Sequence, residues 1–167
     1  MEPDALLLDA FGRIRELVPS VVDGLDDDQL AWRPQGTGNS VAWLVWHLAR
    51  VQDDHVADAA GTGQAWSEEG WRERFALDLP ADDTGYGHAP EDVAKVRASA
   101  DLLTGYAAAV AERTEAFVSG LGAGDLDRIV DDSYDPPVTL GVRLVSVVSD
   151  CLQHLGQAGY VRGLAGA

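Results

Sequence analysis

The chain has 167 residues, 46% of them hydrophobic, the size of one compact domain with a substantial core. Twelve basic residues against 28 acidic ones give a net charge of −16, a field that repels phosphate backbones and anionic lipid and argues against nucleic acid or a membrane surface as partner. The single cysteine, Cys151, excludes an internal disulfide, and no run nears the roughly 18 apolar residues of a membrane span.

The opening "MEPDALLLDAFGRIRELV" carries acids where a secretory signal would be basic, so a cytoplasmic protein is expected. Asp4 can cap a first helix in which Leu7, Phe11, Ile14, Leu17 and Val21 or Val22 recur at three- and four-residue steps, ending near Gly24. Pro19 predicts a kink or an early fray, because it donates no backbone hydrogen bond. After "LDDDQLAWRPQGTG", a short helical turn and a Pro/Gly loop, Asn39 or Ser40 caps a second helix that Gly61 ends. Its apolar stripe runs through Val41, Leu44, Val45, Leu48 and Val51.

From Thr62 to about Arg97 lie two shorter helical candidates, "SEEGWRERFAL" and "PEDVAKVR", separated by "DLPADDTGYGH". So long an excursion in a small domain covers something or forms a functional loop. A third long helix, "SADLLTGYAAAVAERTEAFVSGL", places Leu102, Leu103, Tyr106, Val110 and Phe117 on one side and closes at Gly120 or Gly122. The segment "GDLDRIVDDSYDPPVTLG" reads as a loop, and Thr139 opens a last helix to about Leu164. With no sustained period-two alternation, the fold class is all-α: residues 1–167 as a single four-helix-bundle domain.

The last helix carries an apolar stripe of Leu140, Leu144, Val147, Val148 and Leu155, with Asp150 and His154 along its edge. Residues four apart on a helix sit one above the other. In the second helix His47 stands between Leu44 and Val51, so three polar groups aim at the interior. An inward carboxylate needs a compensating positive charge, which a divalent metal supplies. Two ligands one turn apart plus a third from a facing helix occupy three corners of a tetrahedron and leave the fourth open, as in catalytic zinc. Nitrogen and carboxylate donors suit Zn²⁺, and Ni²⁺, Fe²⁺ and Mn²⁺ accept the same ligand types. Two neutral imidazoles and one carboxylate leave Zn²⁺ with a net charge of +1, which favours an anion at the open corner.

A direct hydrogen bond between His47 and Asp150 would account for both residues without a metal. His55, two turns along the second helix, is a fourth ligand or lines the mouth. Cys151 is a nucleophile or a small buried hydrophobe. Gly156, Gly159 and Gly163 weaken the last helix by about 1 kcal/mol each relative to alanine, so close approach of another backbone or a ligand is expected there. Gln157 continues the polar line and can bind substrate or hold a ligand in place, with Arg162 doing the same from the helix end.

With these residues placed, "GNSVAWLVWHLARVQDDHVAD" and "SDCLQHLGQAGYVRG" together resemble the DinB-like (YfiT-like) four-helix-bundle superfamily, in particular its mycothiol-dependent S-transferase branch. The similarity covers most of the chain and includes "GYGH" before the third long helix. It implies a bundle with extra short helices in the long connection between helices 2 and 3. It also implies a divalent metal, most commonly zinc, held by His47, Asp150 and His154. Many members carry His-x-x-x-His in the last helix; here Asp150 takes the first of those positions and lowers the net charge of the site.

The implied activity joins a low-molecular-weight thiol to an electrophile in detoxification. Metal coordination deprotonates a thiol, whose free pKa is near 8.5, and mycothiol would occupy the open corner as the thiolate. Mycothiol is the expected thiol in an actinobacterial setting, in keeping with a composition rich in Ala, Gly, Val and Asp and with Lys95 as the sole lysine. His55, Gln157, Arg162 and Trp43 are candidates for binding thiol or substrate. Trp43, Trp46 and Trp71 can wall an electrophile pocket, or pack in the core. Related proteins are often dimers, so a homodimer is compatible. Two other functions fit the same residues: a metal-binding stress or interaction protein without turnover, and a metal-assisted hydrolase with His55 or Asp53 as general base.

Overall fold

Each of the three later long helices begins at a hydroxyl whose Oγ accepts the backbone N–H three residues on, satisfying a donor that the helix itself cannot. Ser40 accepts from Trp43 at 3.1 Å, Ser99 from Leu102 at 3.3 Å and Thr139 from Val142 at 3.3 Å. The computed structural model describes residues 2–166, Ala123 by its backbone alone; the single-domain reading of 1–167 runs one residue beyond this at each end. The elements are α1 (Pro3–Val22), α2 (Asp27–Ala31), α3 (Val41–Ala60), α4 (Ala65–Glu68), α5 (Trp71–Phe75), α6 (Pro90–Val93), α7 (Ala100–Val118), β1 (Ile129–Asp131), β2 (Val138–Thr139) and α8 (Leu140–Leu164).

Helices α1, α3, α7 and α8 form the bundle. α3 packs most extensively on α8 and also on α7, α1 packs on α7 and α8, and α1 and α3 face each other across the diagonal. The short helices α4–α6 sit in the connection between α3 and α7. Among the described residues no helix is long and apolar enough to cross a membrane.

Several local expectations give way to specific physical causes. Asp4 is not the cap of α1: Pro3 takes the first helical position, where no N–H is needed, and Asp4 lies in the first turn near the positive end of the helix dipole. Pro19 lies inside α1, which runs on to Val22. On that helix Val18, not Leu17, faces inward, because the 3.6-residue period carries the stripe from Ile14 to a four-residue step; Val18 is 2% exposed and Leu17 43%. The segment "SEEGWRERFAL" splits into α4 and α5 at Gly70, which adopts a φ of +71°. The loop before α8 contains an antiparallel pair, Ile129 opposite Thr139 and Asp131 opposite Val138, in strands too short to show alternation.

The glycines of α8 are not explained by close packing either. A Cβ added at Gly156, Gly159 or Gly163 would meet nothing within 4 Å. Gly105 of α7, by contrast, does permit a close approach, since a Cβ there would lie 2.9 Å from Trp71.

A polar cluster sits inside the core. Arg50, fully buried, donates to Gln64 Oε1 at 2.8 Å, to the Tyr106 hydroxyl at 3.2 Å and, from Nε, to the Asp83 carbonyl at 3.1 Å. Asp53 accepts the Ala65 and Trp66 amides at 2.9 and 2.8 Å and the Tyr106 hydroxyl at 2.8 Å. It therefore caps α4 from within α3, and with Arg50 it ties α3, α4, α7 and the loop at Asp83 together. Burial drives the Tyr106 hydroxyl well above its ordinary pKa, so it stays a donor to Asp53.

Asp53→Ala strips the nearby carboxylate from a buried guanidinium 3.6 Å away and uncaps α4. The expected loss is about 3–5 kcal/mol, read as a lower urea midpoint with an unchanged slope.

Candidate metal centre

Where α3 lies against α8, three side chains converge. His47 of α3 and Asp150 and His154 of α8 each offer a ligand atom, all within 4.8 Å of one another. Asp150 and His154 stand one turn apart, with His154 Nε2 3.5 Å from Asp150 Oδ1. The His47 and His154 rings meet edge to face, their centroids 4.7 Å apart.

The second nitrogen of each ring is already used. His47 donates Nδ1–H to the Thr84 carbonyl, a short contact, and His154 Nδ1 is 3.1 Å from Gln157 Oε1. Each ring is thereby turned so that Nε2 is its free ligating atom, the usual bracing of a metal-bound histidine. Asp150 Oδ2 is buried and has no hydrogen-bond partner among the described residues. The alternative in which His47 and Asp150 simply satisfy each other is not realised, because the His47 proton goes to Thr84. A carboxylate with one orphaned oxygen, its ligand atom within 4.8 Å of those of two imidazoles, fits a divalent cation. Tetrahedral zinc, with bonds of about 2.0–2.1 Å, would draw the three ligand atoms closer together.

The electrostatics agree with that fit. Burial lowers the His47 pKa and keeps the ring neutral, the state in which it ligates. For Asp150, burial pushes the carboxyl up, but His154, His47 and His55 outweigh it and hold it below the ordinary carboxylate value. Asp150 in turn raises His154.

The loop Asp83–His88 straps this corner. Asp83 accepts the Gly85 amide on Oδ1 at 2.7 Å, and its Oδ2 is 2.9 Å from His88 Nε2. Trp43 Nε1–H, a donor only, points at His88 Nδ1 at 3.1 Å, which makes Nδ1 the acceptor and Nε2–H the donor to Asp83. Trp43 also stacks on His47, centroids 4.6 Å apart. Gly85 has a φ of +90°, and a Cβ there would lie 2.8 Å from His47 Nδ1, so only glycine lets the loop close on the ligand.

Beside the ligands opens a cavity of about 380 Å³ lined by His47, Asp150, Val51, Val147, Asp54 and His55, with the exposed rings of Tyr86 and Tyr134 also on its wall. A larger cavity, about 620 Å³, lies between α3 and α7 against Val56, Val110 and Phe117 and has no histidine or cysteine in its lining. Two of the three candidate ligands, His47 and Asp150, line the smaller one.

The other sequence candidates fall in different places. His55 lines the cavity but stands outside the ligand group. Gln157 orients His154, and Trp43 braces His47. Arg162 is away from the site: its guanidinium donates to the Ser20 and Asp23 carbonyls at 3.2 and 2.6 Å, closing the C-terminal end of α1. Trp46 and Trp71 pack in the core. Cys151 is fully buried, and burial pushes its thiol far above the ordinary value, so it behaves as a small hydrophobe. Thr84 carries no advance signal, because a backbone carbonyl acceptor has no residue-type signature; of its neighbours in the strap, His88 lies in the "GYGH" string and Asp83 just before it, with no role readable there.

Zinc must displace the proton on His154, whose pKa is raised, so zinc affinity falls about tenfold per pH unit once pH drops below that raised value. In metal-free protein the signs run oppositely for the two partners. The His154 contribution to stability is complete below its unfolded value near 6.5 and lost as pH rises through the folded one; that of Asp150 is lost as pH falls through its depressed value. Wild type minus Asp150→Asn, measured by urea unfolding without metal, is therefore expected to be largest between the depressed Asp150 value and the unfolded histidine value near 6.5, and to shrink as pH rises through the raised His154 value.

No curated protein matches this chain. It is similar to a crystal structure of a conserved protein from Enterococcus faecalis, with a TM-score of 0.92 and 33% identity over 99% of this chain and 98% of that one. Residues 10–158 match the family model described as the DinB superfamily. The chain belongs to the DinB superfamily.

Proposed function

We propose that this protein is a metal-dependent thiol S-transferase that conjugates mycothiol, or a similar low-molecular-weight thiol, to an electrophile. The observation that carries the reading is the convergence of His47, Asp150 and His154 beside a cavity large enough for a small substrate. A divalent cation, zinc by its donor set, supplies the positive charge that converts a bound thiol to thiolate near neutral pH.

The chain's own residues do the rest. Thr84 and Gln157 hold the two rings with Nε2 free, and Trp43 and the Asp83–His88 strap keep His47 from rotating. Val51 and Val147 give the cavity an apolar side for the electrophile, while the strap and the β1–β2 connection place Tyr86 and Tyr134 beside it. Asp53 is not available as the base of a hydrolase, since both its oxygens are taken by α4 amides and Tyr106. The protein is expected to act in the cytoplasm on small molecules, without nucleic acid or membrane.

Zinc-loaded protein should conjugate mycothiol to monobromobimane, and His47→Ala should abolish both zinc retention and turnover. Gln157→Ala should retain activity at saturating metal while lowering zinc affinity about 10–100-fold. Absence of conjugate with zinc fully bound, across several thiols, rejects the proposal; zinc binding without thiol affinity favours a non-catalytic metal protein.

A further inference from the structure

His55, on the cavity wall, is held by Arg143 of α8, which Asp131 holds in turn. Arg143 Nη1 lies 2.7 Å from His55 Nδ1, and Arg143 Nη2 donates to Asp131 Oδ2 at 3.0 Å. A guanidinium has five N–H donors and no lone pair. His55 Nδ1 must therefore be the acceptor, and the ring proton sits on Nε2. Among the described residues that Nε2–H has no hydrogen-bond partner, although the ring lines the cavity. Burial, followed by the Arg143 charge, lowers the His55 pKa and keeps the imidazole neutral.

The hairpin that the sequence hid supplies the brace. Asp131 ends β1, and its carboxylate, held by Ser133, fixes the guanidinium that fixes the ring. Arg143 and Asp131 are buried to 15% and 28% side-chain exposure, so this pair is better shielded from water than the protein's other ion pairs on its surface.

We infer that His55 is a fixed, neutral hydrogen-bond donor for an oxygen of the electrophile, with Arg143 and Asp131 as its positioning residues. This rests on the S-transferase reading above. A neutral imidazole donor of this kind stabilises charge that develops on oxygen without surrendering its proton. His47 and His55 are eight residues apart on α3, about 12 Å of helix rise. An α,β-unsaturated carbonyl or a quinone carries an oxygen beyond the carbon attacked and gathers charge on it as sulfur adds, whereas substitution at an alkyl halide places that charge on the departing halide, so a fixed donor on the cavity wall away from the ligand group suits the former. The thiolate sulfur forms a bond to the β-carbon, the C=C electrons shift toward the carbonyl, and its π pair moves onto oxygen. The resulting enolate oxygen accepts the His55 Nε2–H hydrogen bond. Solvent then delivers a proton to the α-carbon, leaving a saturated thioether ketone with His55 unchanged.

The experiment pairs two probes with one direct spectroscopic readout. With zinc-loaded protein and one thiol, His55→Leu is expected to lower kcat for 2-cyclohexenone about 100-fold, with the KM for thiol unchanged and the rate with benzyl bromide, which has no oxygen for His55 to meet, changed by about twofold at most. His55→Gln, which keeps an N–H donor, recovers part of the loss. Nitrogen NMR of the wild-type zinc-loaded protein should show His55 unprotonated at Nδ1 and protonated at Nε2. Arg143→Met should mix the two tautomers, and 2-cyclohexenone should shift the Nε2–H resonance. Equal losses on both probes, no loss on the enone, or a proton on Nδ1 overturns the inference. Wild type inert to both probes defeats the S-transferase reading; the enone-induced shift of Nε2–H then upholds the donor assignment, and its absence rejects that too.

Discussion

A carboxylate oxygen buried without a donor is the constraint around which this molecule is arranged. Asp150 Oδ2 lies inside the seam between α3 and α8 and meets no hydrogen-bond partner. Leaving such a group unpaired costs several kcal/mol, and a helix could avoid that cost with any apolar residue at the position. The neighbours do not remove the problem. His154 is close enough to hold the carboxyl ionised, while His47, the other imidazole, spends its proton on Thr84. What is left is one negative charge and two outward lone pairs at one point, an arrangement that water satisfies poorly and a cation satisfies well.

The same seam explains why so much polar structure lies in the core behind it. Arg50 is one turn beyond Trp46 on α3 and reaches the Asp83 carbonyl, the peptide unit next to Thr84. Thr84 holds His47. A buried guanidinium with a structural role therefore ends one residue from the acceptor that orients a ligand, and the cap of α4, the position of the strap and the direction of the His47 ring are set together. Loops alone position side chains loosely. Here the strap is pinned on one side by Arg50 and on the other by the Trp43–His88–Asp83 chain, so a loop performs like a rigid element.

Much of this was legible from spacing. A cap at Asn39 or Ser40 and a start at Thr139 are readable from residue type, and Ser40 proves to be the cap; Gly61 ends α3 in a left-handed conformation, and the four-residue step from Asp150 to His154 places two candidate ligands on one face. The failures share a physical cause, which is that they depend on partners remote in sequence. Arg162 reads as a continuation of the polar line on α8, yet the end of α1 claims it. The α8 glycines imply a close neighbour, yet none is present, whereas Gly105, unremarkable in sequence, accommodates Trp71. Leu17 and Val18 are equally apolar, and only the accumulated helical phase separates them. The hairpin was invisible because strands of three and two residues have no period, and with it went Asp131, the residue that makes sense of Arg143 and His55.

The charge balance of the site joins these parts. Three imidazoles would leave a bound divalent cation at +2, whereas His47, His154 and Asp150 leave it at +1, so a single anion at the fourth position brings the group to neutrality. In a half-buried seam a neutral group costs far less to desolvate than a charged one. The carboxylate thus trades some attraction for a first anion against a poor fit for a second. With a cation held there, the carboxylate would also weaken the pull on electrons of an anion bound beside it, leaving that anion more nucleophilic. In the proposed reaction the electrophilic assistance comes instead from His55, whose ring Arg143 holds as a neutral donor.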